Sequence, residues 1–98
     1  MSEREVTRLV TVEGLVQGVG YREFTRRAAQ RLSVSGWVRN RSNGTVEALL
    51  HGPPDVVAAL IAEMRRGPRG ASVSGVRDLP TDECGDFEPV GFYVRSTS

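Results

Sequence analysis

The sequence predicts an α+β sandwich of order βαββαβ, with two helices on one face of a mostly antiparallel sheet and a short fifth strand near the C-terminal end. Three observations carry this reading. Apolar residues recur at helical spacing in two separate stretches, Tyr21–Leu32 and the run holding Val57, Leu60, Ile61 and Met64. The stretches around them read as strands, the first with an alternation near two residues. An Asn43-Gly44 pair, the strongest short hairpin signal, joins the second strand to the third.

Taken in order, Thr7–Glu13 places Val10 and Val12 on one face and Thr7, Thr11 and Glu13 on the other, with Leu9 off the pattern. A glycine-rich turn follows. Then YREFTRRAAQRL carries its apolar stripe on Tyr21, Phe24, Ala28, Ala29 and Leu32. Val34–Asn40 is the second strand and Arg41–Gly44 the turn. Thr45–His51 is the third strand, with Val46, Ala48 and Leu50 inward and His51 on the opposite, exposed face. Gly52-Pro53-Pro54-Asp55 starts a helix, since proline is tolerated in a first turn and an acid suits the positive end. Gly67 and Pro68 stop it. Val73–Leu79 is a fourth strand, TDECGDFEP an acidic loop, and GFYVR a short fifth strand with Phe92 and Val94 on one face. This is the ferredoxin-like layout, which hosts many functions, so function must be argued from the site.

Composition narrows the chemistry. The chain has 98 residues, one domain's length, with 39% hydrophobic and 26% charged residues. No apolar run approaches the ~20 residues of a membrane helix. The start, MSEREVTR, lacks the apolar core of a secretory signal, and the single Cys84 cannot make an internal disulfide. A cytoplasmic location is therefore expected. The formal net charge of +1 does not call for a nucleic-acid or membrane partner. All 13 basic residues are arginine, which excludes a Walker-type phosphate lysine and a Schiff-base lysine. An anion site in this chain must use arginine, backbone N–H groups or a helix end.

GLVQGVGYR, Gly14 to Arg22, lies where the first strand passes into the first helix. The spacing of Gly14, Gly18 and Gly20 fits neither the dinucleotide fingerprint nor the P-loop. The setting still suits an anion. The first N–H groups of a helix lack internal partners, the helix end carries about half a positive charge, and glycines let backbone N–H groups converge. Arg22, in the first turn, can grip two phosphate oxygens with its planar guanidinium. A tight turn beside a solvated arginine would use the same residues. Asn40 ends the second strand, and in this fold that end and the glycine turn can lie at one edge of the sheet. A carboxamide there can both accept from and donate to an attacking water, although asparagine is also an ordinary turn residue.

Together the two stretches decide more than either alone. GLVQGVGYR resembles the signature of the acylphosphatase family, with tyrosine as the aromatic before the arginine, and GWVRNRSNGTVEALLHG, Gly36 to Gly52, resembles that family's second signature. GFYVR also resembles the family's end. The resemblance implies a single acylphosphatase-like domain over 1–98. It implies hydrolysis of an acyl phosphate to a carboxylate and inorganic phosphate, without metal or other cofactor. The loop of Gln17, Gly18, Val19, Gly20 and Tyr21 would bind the phosphoryl group through main-chain N–H groups, Arg22 would bind it by its side chain, and Asn40 would position the water. The substrate's own phosphoryl oxygens would take the water's proton. Such chemistry fits a sequence without paired acids or a Cys-His pair, because a carboxylate leaves without a general acid and phosphoryl transfer proceeds largely by positioning and charge stabilisation. A non-catalytic module that binds an anion in the same cradle is the alternative.

Other features are set aside. His51 is read as an exposed strand residue, and Cys84 has no basic neighbour to activate it. Asp82, Glu83, Asp86 and Glu88 lack the spacing of an EF-hand. Asn40-Arg41-Ser42 matches a glycosylation sequon, which has no meaning without secretion. Ser42 is either a support for Asn40 or a turn residue. Trp37 and Tyr93 on the open sheet face raise RNA binding, but the third strand lacks the aromatic RNA signature. Leu9, Trp37, Leu49 and Tyr93 would leave that face partly apolar; a monomer is the expectation.

Overall fold

A computed structural model describes residues 5–81 and 91–98. The elements run β1 (Val6–Leu15), α1 (Tyr21–Leu32), β2 (Ser35–Asn40), β3 (Val46–Gly52), α2 (Pro54–Arg66), β4 (Ser72–Pro80) and β5 (Phe92–Val94). The expectations for Asp82, Glu83, Cys84, Asp86 and Glu88 lie outside the described residues, as does the start of the chain.

The sheet order is β4-β1-β3-β2-β5. β3 pairs antiparallel with both β1 and β2. The latter two therefore run in the same direction, and their C-terminal ends meet at one edge of the sheet. That edge is where the glycine turn leaves β1 and where Asn40 ends β2. β4 pairs antiparallel with β1, and β5 pairs parallel with β2, the one parallel pairing among the described strands.

The alternation of the strands sets the core. Val10 faces Ala48, Val12 faces Val46, and Ala48 also faces Val38, all of them fully buried. α1 and α2 cover this inner face. The α2 stripe is as the spacing predicts: Val57, Leu60, Ile61 and Met64 are buried. In α1 the buried residues are Tyr21, Thr25, Ala28 and Ala29. Phe24 and Leu32, placed in the stripe by their chemistry, are half-buried at its flanks, and Thr25 takes the central position. Thr25 can be buried because its hydroxyl donates to the Tyr21 carbonyl one turn earlier, at 3.0 Å.

One expectation for the outer face changes. His51 is half-buried rather than exposed. It sits directly across from Thr7, whose hydroxyl lies 2.8 Å from Nδ1, and its Nε2 lies 3.0 Å from Glu5. The outer face is partly apolar, as expected: Leu79, Leu9, Leu49, Trp37 and Tyr93 stand in one row across the strands, and Leu79 is exposed. Leu49 is buried between its cross-strand neighbours Leu9 and Trp37. The guanidinium carbons of Arg39 and Arg95 each lie 4.9 Å from the Trp37 ring centroid. Stacking of this kind favours Arg because its weakly hydrated plane lies flat on an aromatic face. Tyr93 does remain exposed.

Leu60, fully buried at the centre of α2, makes the packing testable. Leu60→Ala is expected to lower the unfolding free energy by about 2–5 kcal/mol in urea titrations, with the slope of the transition unchanged.

Candidate active site

The loop from Val16 to Gly20 is built by alternation. Val16 is buried in the core and Val19 packs against it. Gly18 and Gly20, between and after them, are exposed and adopt φ of 75° and 79°. A Cβ at either would meet nothing within 4 Å. Their requirement is therefore conformational, a left-handed backbone, and not a lack of room. Gly14 is different. A Cβ there would lie 2.1 Å from the Ser72 carbonyl oxygen, at the bulge between β1 and β4. The first glycine of the motif serves strand pairing and the other two shape the turn.

Gly20 is the N-cap of α1 and offers no capping side chain. Its carbonyl accepts from the Phe24 N–H at 3.0 Å. The leading N–H groups of α1 are thus left for an external acceptor, at the positive end of the helix. Tyr21, the first helical residue, is pinned: its hydroxyl donates to the Met64 carbonyl at 2.7 Å, tying α1 to α2. Burial pushes its phenol pKa well up, so the hydroxyl keeps its proton.

Gln17 points away from the cradle. Its Nε2 donates to the Arg41 carbonyl at 2.8 Å and the Thr45 carbonyl at 2.9 Å. These acceptors flank the β2–β3 turn, which is itself closed by the Arg41 N–H on the Thr45 carbonyl and by Asn43 Oδ1 accepting from the Thr45 N–H and hydroxyl. One carboxamide therefore fastens the glycine loop to the turn that follows Asn40. The Asn40 carbonyl accepts in addition from the Ser98 N–H at 3.1 Å.

These constraints bring Gly18, Gly20, Tyr21, Arg22 and Asn40 around one open pocket of ≈ 440 Å³, at the low end of the range of small-ligand sites. Gln17 and Val19 do not line it; their side chains serve the turn and the core. Ser42 is exposed and does not line it either. Glu23, Arg26 and Val94 do line it, beyond the residues to which the sequence points. Arg26 carries a sequence signal, its position four residues after Arg22 on the same helical face. Val94 carries none, because the parallel pairing of β5 with β2 has no local signature.

The charges are arranged unequally. Arg26 donates through Nε and Nη2 to the two oxygens of Glu23, and Arg27 Nε reaches the same carboxylate at 3.1 Å. The hydrogen bond from Arg26, with Arg27 adding to it, holds the Glu23 carboxyl at about 2, so it is ionised near neutral pH. The Arg22 guanidinium and the Asn40 carboxamide make no side-chain hydrogen bond or ion pair with other described residues. Both lie open to the pocket, beside an uncapped helix end. The arrangement can bind a tetrahedral oxyanion with a cation and backbone donors, and can hold a water against it.

Comparisons with known proteins bear on the family and the fold. The family model described as acylphosphatase matches residues 8–93. The chain is 53% identical over 76 residues to an acylphosphatase of Nitrobacter hamburgensis, covering 78% of this chain and 77% of that one. It is 47% identical over 94 residues to an acylphosphatase of Salinibacter ruber, covering 96% and 95%. Among solved structures, an acylphosphatase from Coxiella burnetii superposes with a TM-score of 0.84 at 38% identity, over 93% of each chain.

The Gln17 bridge is expected to be worth more than an ordinary surface contact, because two part-buried hydrogen bonds are lost at once. Gln17→Ala should lower stability by about 1–3 kcal/mol in denaturant titrations. In hydrogen-exchange measurements the Arg41 and Thr45 amides should exchange faster.

Proposed function

The chain belongs to the acylphosphatase family, and from that premise we propose which of its groups carry out the reaction. It is an enzyme that hydrolyses acyl phosphates, with a small-molecule acyl phosphate as substrate and phosphate as product. In our reading the phosphoryl group sits against the N-terminus of α1. Main-chain N–H groups of the Gln17–Tyr21 loop hold it, and Arg22 takes two of its oxygens through one guanidinium. Asn40 holds the attacking water in line with the bond to be broken. A P–O bond forms to this water as the P–O bond to the acyl oxygen breaks, and the carboxylate leaves without needing a proton. The water's proton passes to a phosphoryl oxygen of the substrate.

The observation that carries this reading is the pairing of two side chains unengaged by the other described residues, Arg22 and Asn40, across one pocket from an uncapped helix end. A pure anion-binding module has a use for the cradle and the arginine but none for a free carboxamide opposite them. Fixed donors of this kind stabilise developing charge without reorganising during the reaction. Catalysis by positioning and charge leaves no step that calls for a metal, so we propose a metal-independent enzyme. We further propose a single domain over 1–98 acting as a cytoplasmic monomer. One cysteine cannot form the internal disulfides of many small secreted domains. Arg39 and Arg95 shield Trp37 on the outer face. No helix among the described residues is long and apolar enough to cross a membrane.

Hydrolysis of benzoyl phosphate in the presence of EDTA tests the proposal. The wild type should be active. Arg22→Ala should lose both phosphate binding and rate, with kcat/KM down by roughly 10²–10³-fold. Asn40→Ala should lose a similar factor in kcat while still binding inorganic phosphate. Activity that survives Asn40→Ala, or that disappears with EDTA, would contradict these roles. A wild type that binds phosphate and hydrolyses nothing would support the binding module.

A further inference from the structure

The pocket carries more charge than one phosphoryl group requires. In the proposed reaction, Gly18, Gly20 and Arg22 serve the phosphoryl position and Asn40 the water. Val16 and Tyr21, each 1% exposed, form the floor. Glu23, Arg26 and Val94 remain, and in the proposed reaction the part of the pocket they line falls to the acyl group. Two of these three are charged.

Arg26 lies one turn beyond Arg22 on the same face of α1, about 6 Å farther from the helix start. Its guanidinium is held in place. Nε donates to Glu23 Oε1 at 2.9 Å and Nη2 donates to Oε2, so the fork is fixed at both arms. The guanidinium has five N–H donors, and those on Nη1 have no partner among the described residues. The Glu23 pair also restrains Arg26 from folding back onto the phosphoryl group that Arg22 holds. Glu23 is shared between Arg26 and Arg27, so the three groups together keep a positive charge. An anion approaching from the pocket side meets donors that are already oriented, which lowers the ordering cost of binding.

We propose that Arg26 is a specificity-determining residue that favours acyl phosphates whose acyl group bears a carboxylate of its own, with Glu23 as its positioning residue. The inference rests on the proposed placement of the phosphoryl group at Arg22. It names the substrate class as monophosphorylated dicarboxylic acids, in which the free carboxylate lies about one helical turn from the reacting phosphorus.

The test compares benzoyl phosphate with 3-carboxybenzoyl phosphate and reads the ratio of their kcat/KM values within each protein. A general loss of rate in a variant cancels from this ratio. In the wild type the carboxylated substrate should be favoured by roughly tenfold, the factor expected for a charge-assisted hydrogen bond at a half-exposed site. Arg26→Gln should bring the ratio to about one or below, because Glu23 then faces the carboxylate without its clamp. Arg26→Lys, which keeps the charge and loses the fork, should give an intermediate ratio. Arg27→Gln removes a charge from the same carboxylate but does not line the pocket, and should keep the wild-type ratio. A wild-type ratio at or below one, a ratio that survives Arg26→Gln, or an equal fall in Arg27→Gln would each overturn the inference. A wild type that hydrolyses neither substrate would overturn the proposed reaction itself, and this inference with it.

Discussion

Everything at the candidate site depends on one side-chain amide. The glycine loop and the β2–β3 turn lie far apart along the chain, and the Gln17 carboxamide joins them with two hydrogen bonds spanning 24 and 28 residues. Both N–H donors are used, and both acceptors are turn carbonyls that also accept a backbone N–H, from Gly44 at Arg41 and from Arg41 at Thr45. With both donors committed to two fixed carbonyls, the carboxamide has one good geometry and few alternatives. The distance between the cradle and Asn40 is thereby set by a contact in which neither Arg22 nor Asn40 takes part. Those two side chains are free to meet a ligand because another residue does the holding.

The bridge in turn needs the sheet. β3 lies between β1 and β2 and runs against both, so the two ends that carry the loop and Asn40 emerge side by side. The helices pack on the inner face, with Tyr21 locking the start of α1 to the last turn of α2. The helix end that faces the pocket is therefore anchored at its first residue, where fraying would otherwise be greatest. A donor array fixed this way does not have to be ordered when an anion arrives.

Thirteen arginines could have produced an unselective basic surface. Several are instead paired: Arg31 with Glu63, Arg39 and Arg41 with Glu47, Arg77 with Glu13, and Arg26 and Arg27 with Glu23. Apart from the half-buried pair of Arg39 with Glu47, these pairs are largely exposed and contribute little to stability, typically ~0–1 kcal/mol. Their effect in this protein is on orientation and on local charge. Around the pocket this leaves Arg22 without a partner among the described residues and Arg26 held, two guanidiniums of the same type in different states because one has a carboxylate beside it.

The sequence by itself determined the element order, the inner faces of the strands, the α2 stripe and the meeting of Gly18, Gly20, Arg22 and Asn40. Each of these follows from a local rule: alternation, helical spacing, turn chemistry, or two signature stretches read together. It did not determine that Thr25 rather than Phe24 is central to α1, since that depends on a hydroxyl finding the carbonyl one turn back. Nor did it show that His51 is covered by its cross-strand partners, or that arginines shield Trp37. Gln17 is the clearest case. Its place in the loop was legible, yet its side chain serves the hairpin turn. Which polar groups are engaged and which are left free is decided by partners distant in the chain, and only the packed tertiary structure brings those partners within hydrogen-bond reach.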